Sequence, residues 1–124
     1  KRNNNYKGET MSDFSLSVRE QGDVVVIETT GYLNNVGGEK VSEACYEKMD
    51  GGKKHFLLNL ENSKVVNSIG VSILIEIIEK LQDMDGKLGY YNLAPIVEKT
   101  FNIMGLTKYS TVYYTEAEGL DGMA

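Results

Sequence analysis

VVNSIGVSILIEIIEKL, residues Val65 to Leu81, opens on a small polar turn and runs straight into a long apolar helix. Ile69, Val71, Ile73, Leu74, Ile75, Ile77, Ile78 and Leu81 leave Ser72, Glu76, Glu79 and Lys80 as its polar positions. A helix apolar over so much of its surface has to be covered by a sheet or by other helices. Its first turn is different. There Asn67-Ser68 sets a hydroxyl beside free backbone N–H groups and the positive end of the macrodipole, where added negative charge is favoured. Ser68 is therefore either a helix cap or a phosphate acceptor. Gly70, which costs about 1 kcal/mol inside a helix, removes side-chain bulk next to that hydroxyl.

Upstream, Phe14, Leu16 and Val18 alternate with Ser15, Ser17 and Arg19, the pattern of a half-buried strand. Gln21-Gly22-Asp23 turns the chain into VVVIETT, Val24 to Thr30, antiparallel to the first strand. Gly31-Tyr32-Leu33-Asn34 leads into a helix with Val41, Ala44, Cys45 and Met49 on one face, stopped at Gly51-Gly52. HFLLNL, His55 to Leu60, shows little alternation and reads as a strand buried on both faces. Downstream, Asp85-Gly86 turns into a strand at Leu88–Leu93. Pro95 begins a helix with Val97, Phe101 and Met104 on one face, ended by Gly105. Ser110 to Thr115 is a last strand, and Glu116 to Leu120 adds a helical turn before a frayed end. This order gives an α/β fold: a mixed, mostly parallel sheet with an N-terminal antiparallel hairpin, packed by helices. Residues 1–11 are expected to be an N-terminal extension or a cloning remnant, and 12–124 a single domain.

The 124 residues suffice for a core without metal or disulfide support, and 41% hydrophobic and 25% charged residues are ordinary for a soluble globule. A net charge of −5 without any Lys/Arg run argues against nucleic acid and anionic membranes as partners. Ile69–Ile78, the longest apolar stretch, is interrupted by Ser72 and Glu76 and is too short to span a bilayer. No secretory signal opens the chain, and the single Cys45 fits a reducing compartment, so cytoplasm is the expected location. No phosphate-binding glycine loop is present; the lone His55 cannot build a metal cluster, and no paired carboxylates offer general acid/base chemistry. Neither catalysis, nor a metal, nor a cofactor is expected. Asn34 ends another strand-to-helix turn, which a parallel sheet places on the same carboxyl edge as Asn67-Ser68, where ligand and partner sites gather.

Four pieces of this sequence resemble the STAS domain of anti-sigma-factor antagonists. Gly31-Tyr32-Leu33-Asn34 is similar to the family's G-x-L-D, and Asn67-Ser68-Ile69-Gly70-Val71 to its D-S-[ST]-G-L. Ala94-Pro95-Ile96-Val97 with Phe101 is similar to its S-P-x-V-x-x-x-F, followed by Gly105-Leu106. They occur in order, and the resemblance covers about Asp13 to Gly119.

The resemblance implies a STAS fold and a partner switch. On it, Ser68 is phosphorylated by a serine-kinase anti-sigma factor. The unphosphorylated antagonist binds that kinase through Asn34, Asn67, Ser68, Ile69 and Gly70, phosphorylation blocks binding, and a PP2C-type phosphatase resets the switch. Asn34 and Asn67 stand where the family has acids, keeping the hydrogen-bonding shape but not the charge; Ile69, where the family often has Ser or Thr, leaves Ser68 as the only local candidate for phosphorylation. The alternative is a non-signalling STAS subunit of a lipid-transport ABC complex.

Overall fold

A computed structural model describes residues 14–123, so the expectations for the first eleven residues lie outside the described part of the chain. Strands β1 (Ser15–Gln21), β2 (Val24–Thr30), β3 (His55–Asn62), β4 (Lys87–Tyr91) and β5 (Thr111–Val112) form one sheet in chain order. β1 and β2 pair antiparallel with Gln21 opposite Val24, leaving Gly22-Asp23 as a two-residue turn. Gly22 takes φ +62°, a conformation that suits glycine. The other three pairings are parallel. They are joined by helices α1 (Asn35–Asp50), α2 (Ser68–Asp83) and α3 (Pro95–Ile103). Crossovers of one hand that step in one direction place all three helices on the same face.

The side-chain alternation follows from that layering. Val25, Ile27, Phe56, Leu58 and Tyr90 point into the helix layer, where Val41, Leu74, Ile77 and Phe101 meet them. Val24, Val26, Leu57 and Tyr91 point the other way, beneath a fourth helix, α4 (Glu116–Met123). Phe56, Leu57 and Leu58 are all fully buried, so β3 is covered on both faces, as its unalternating sequence requires. Buried polar groups are satisfied: the Tyr90 hydroxyl donates to Ser110 Oγ at 2.9 Å, and Ser110 Oγ donates to the Leu106 carbonyl at 2.6 Å.

The downstream half departs from the sequence reading. The last strand is two residues, not six, because after the Tyr113 N–H bonds the Tyr90 carbonyl the chain leaves the sheet edge. The C-terminal end is a helix of eight residues, and its start is well formed. Thr115 Oγ1 accepts from the Glu118 N–H (3.1 Å) while Glu118 Oε1 accepts from the Tyr114 N–H (3.0 Å), an arrangement close to a capping box. β3 runs two residues further than expected and β4 stops at Tyr91, before Asn92 at φ +61°. A short 3₁₀ turn at Leu106–Lys108 follows Gly105, whose φ is +87°.

Cys45 is fully buried between α1 and the sheet, and burial pushes its thiol up to about 12. A thiolate is the reactive species. Native protein at about pH 8 is therefore expected to resist a disulfide reagent such as DTNB. Its labelling rate should rise with denaturant in step with unfolding; fast labelling of the folded chain would contradict the packing described.

Candidate functional site

Parallel pairing continues past the sheet edge, and this positions the site. The Gly31 N–H donates to the Asn62 carbonyl (3.0 Å), Leu33 N–H to the Val65 carbonyl (2.9 Å), and Asn67 N–H to the Leu33 carbonyl (3.2 Å). Leu33 and Val66 form a parallel bridge. Below, buried Thr29 and Ser63 share a hydroxyl–hydroxyl hydrogen bond of 2.7 Å that ties the end of β2 to the loop leaving β3. The segments entering α1 and α2 are thereby aligned, and the two helices start side by side at the carboxyl edge of the strands.

Both helices begin in the same way. Asn34 Oδ1 accepts from the Gly37 N–H at 3.0 Å, and Asn67 Oδ1 accepts from the Gly70 N–H at 2.9 Å. Each asparagine is thus the N-cap of its helix. Of the two readings of Ser68, helix cap or acceptor, the cap is removed, because Asn67 fills that place. Ser68 is the first residue of α2 and is exposed. Among the described residues its hydroxyl has no hydrogen-bond partner, and its carbonyl accepts from Ser72 Oγ at 2.8 Å. The N–H groups of Ser68 and Ile69 also lack partners among the described residues, as expected for a helix start. Neither α1 nor α2 has an acidic residue in its first turn.

Gly70 also has a packing reason to lack a side chain. A Cβ there would collide with the Leu33 carbonyl and come within 3.3 Å of the Asn34 nitrogen. From α1, a Cβ on Gly38 would meet Ile73 at 2.8 Å and Gly70 Cα at 3.4 Å. The two glycines let the α1 and α2 starts close onto one another and onto the Leu33 backbone. Asn34, Asn67, Ser68, Ile69 and Gly70 are thus gathered at one edge. His55 is not among them: it opens β3 at the opposite edge, where desolvation and nearby Lys87 and Lys54 lower its pKa.

The site has an apolar rim that the sequence did not reveal. Ile69 is 53%, Val65 57% and Ile96 62% exposed. Val65, Val66, Ile96 and Val97 line a shallow depression together with Lys64 and Thr100. In the sequence Val65 and Ile96 carry no mark that separates them from core residues. Ser68 thus sets an exposed hydroxyl at the positive end of a helix, beside the exposed aliphatic side chains of Val65, Ile69 and Ile96. Among the described residues, no group of His, Cys, Asp or Glu could hold a metal ion, and no helix is long and apolar enough to cross a membrane.

The sequence matches the STAS domain family over residues 15–119. Solved structures share the architecture. An anti-sigma factor antagonist from Mycobacterium paratuberculosis is 20% identical, with 92% of this chain and 97% of that one covered, at a TM-score of 0.80. The antagonist SpoIIAA in its unphosphorylated form is 20% identical, covering 86% and 96% of the two chains, with a TM-score of 0.69. The Bacillus cell fate determinant SpoIIAA in its phosphorylated form is 21% identical, covering 89% and 100%, also at 0.69. At such identities the likeness is one of fold.

The division of labour at the α2 start is measurable by chemical denaturation. Asn67→Ala should cost about 1 kcal/mol through loss of the cap, whereas Ser68→Ala should stay within about 0.5 kcal/mol of wild type. Gly70→Ala should destabilise by about 1–3 kcal/mol because the Leu33 backbone must move aside. Equal losses at Asn67 and Ser68 would return the capping role to the serine.

Proposed function

The chain belongs to the STAS domain family, and we propose that within it the protein is an anti-sigma-factor antagonist, bound by a serine-kinase anti-sigma factor and switched off when that kinase phosphorylates Ser68. One observation carries this reading: Ser68 is exposed at the start of α2 with its hydroxyl unpaired among the described residues, while its neighbour Asn67 does the capping. A serine without a structural task at a positive helix end is suited to accept a phosphoryl group. In that step Ser68 Oγ attacks the γ-phosphorus of ATP held by the kinase. The hydroxyl proton passes to a base on the kinase, and ADP leaves.

The consequences follow from local electrostatics. The phosphate adds about −1.5 to −2 charges at pH 7. The unpaired N–H groups of Ser68 and Ile69 and the helix dipole favour that charge. Asn34 and Asn67 have their Oδ1 atoms engaged in capping, which leaves amide N–H donors, and no first-turn carboxylate repels the phosphate. The fold therefore keeps its shape. The docking face does not keep its character, since the exposed Val65, Ile69 and Ile96 now border a hydrated dianion that is costly to bury. Unmodified protein docks on the kinase and frees the sigma factor; a PP2C-type phosphatase restores the docking form. The protein acts in the cytoplasm as a non-catalytic regulator. As a transporter subunit it would instead co-purify with an ATPase or permease and carry no phosphate.

Intact-mass analysis after incubation with ATP and the cognate kinase should show one added phosphate that Ser68→Ala abolishes. Ser68→Asp should weaken kinase binding by about a hundredfold, within the 2–5 kcal/mol that an unpaired interfacial charge costs; wild-type affinity in that variant would sink the switch. Asn67→Asp retains a capping oxygen but adds like charge. A ³¹P titration of the phosphorylated protein should accordingly find the second phosphoserine pKa higher in Asn67→Asp than in wild type.

A further inference from the structure

α4 differs from the other helices in what holds it. It has eight residues, includes Gly119 and Gly122, and carries Glu116, Glu118 and Asp121 with no basic residue in its last turn. Helices this short are marginal by themselves, and interior glycines weaken them further. Along its middle, Gly119 lies against Leu57 and Leu120 packs on the same strip, and each end is anchored as well. At its C-terminal end, Met123 is 1% exposed and packs with Val24, Val26, Leu57 and Tyr91. At its N-terminal end, Glu116 Oε1 accepts from the Tyr91 hydroxyl at 2.7 Å and pairs with the Arg19 guanidinium.

Arg19 has somewhere else to go. Glu28 of β2 lies 4.0 Å from the same guanidinium nitrogen that meets Glu116, and Gln21 Oε1 accepts from its other nitrogen at 3.2 Å. If α4 leaves, Arg19 retains a carboxylate partner on the sheet, which lowers the cost of opening. The last link to the sheet before α4 is the Tyr113 N–H on the Tyr90 carbonyl, so Tyr114-Thr115 is the natural pivot. The Thr115 cap on the Glu118 N–H travels with the departing piece and need not break, while the Tyr114 N–H to Glu118 Oε1 bond bridges the pivot itself.

We infer that α4 is a latched strap: it leaves the sheet as a unit, pivoting at Tyr114-Thr115, well before the domain unfolds, and Glu116 is the latch. Its release bares the strip of Val24, Val26, Leu57 and Tyr91, a second apolar surface on the face opposite α1, α2 and α3. This inference does not depend on the role of Ser68.

Hydrogen–deuterium exchange on the full chain tests it, comparing amides in Gly119–Met123 with those of β3. In wild type the α4 amides should exchange at least about a hundredfold faster than β3 amides, after correction for intrinsic rates. Glu116→Gln should speed α4 exchange about tenfold or more and leave β3 unchanged. Glu28→Gln removes the alternative partner of Arg19, so it should slow α4 exchange severalfold. The inference is overturned if α4 and β3 amides exchange together in wild type, or if both variants move α4 in the same direction. Should Glu116→Gln fold poorly, the wild-type contrast and Glu28→Gln still decide.

Discussion

The contact on which the architecture of the site rests is the approach of the Leu33 carbonyl to the first turn of α2 at Gly70. Only a residue without a Cβ lets that carbonyl sit there, and the same carbonyl accepts the Asn67 N–H. Through it the segment leaving β2 and the segment leaving β3 stay paired beyond the sheet, so that α1 and α2 begin at one level with Asn34 and Asn67 in equivalent capping positions. Close packing of Gly38 on α2 extends the same constraint into the helix layer. The usual disadvantage of glycine in a helix is offset here by tertiary fit.

Once Asn67 caps α2, the serine that follows it is relieved of that structural role, and the rest of the site follows from that. Amide caps satisfy helix N–H groups without adding charge. A carboxylate in the same position would cap as well and would also repel a phosphate on the neighbouring hydroxyl. The edge presented by this chain is accordingly neutral in its first turns and apolar at its rim, with Val65, Ile69 and Ile96 exposed. On the proposed function, a phosphate placed on such a surface changes its character without any need to refold the domain.

The sequence reading and the structure agree where the signal is local. Gly22, Gly51-Gly52, Pro95 and Gly105 punctuate the chain as expected, and the apolar faces of α1 to α3 are buried where periodicity put them. They part at the C-terminal end. STVYYT has strong strand propensity throughout, yet only Thr111 and Val112 pair, and Tyr113 instead packs beneath α4, against Gly122. EAEGLDGM has weak helix propensity, yet it is helical, because Gly119 fits against Leu57 and Met123 fills the strip beside Tyr91. In both places tertiary packing overrides a modest local preference.

By itself, the amino-acid sequence determined the alternation of strands and helices, the two-sided burial of β3, and the position of Ser68 at the start of an apolar helix, since periodicity and turn chemistry are properties of neighbouring residues. Tertiary structure alone decided that Asn67 and not Ser68 is the cap, that Gly70 yields to the Leu33 backbone, that Val65 and Ile96 face outward, and that α4 lies across the second face of the sheet. Each of those outcomes depends on which distant segment arrives alongside, and the chain settles that only when the sheet assembles.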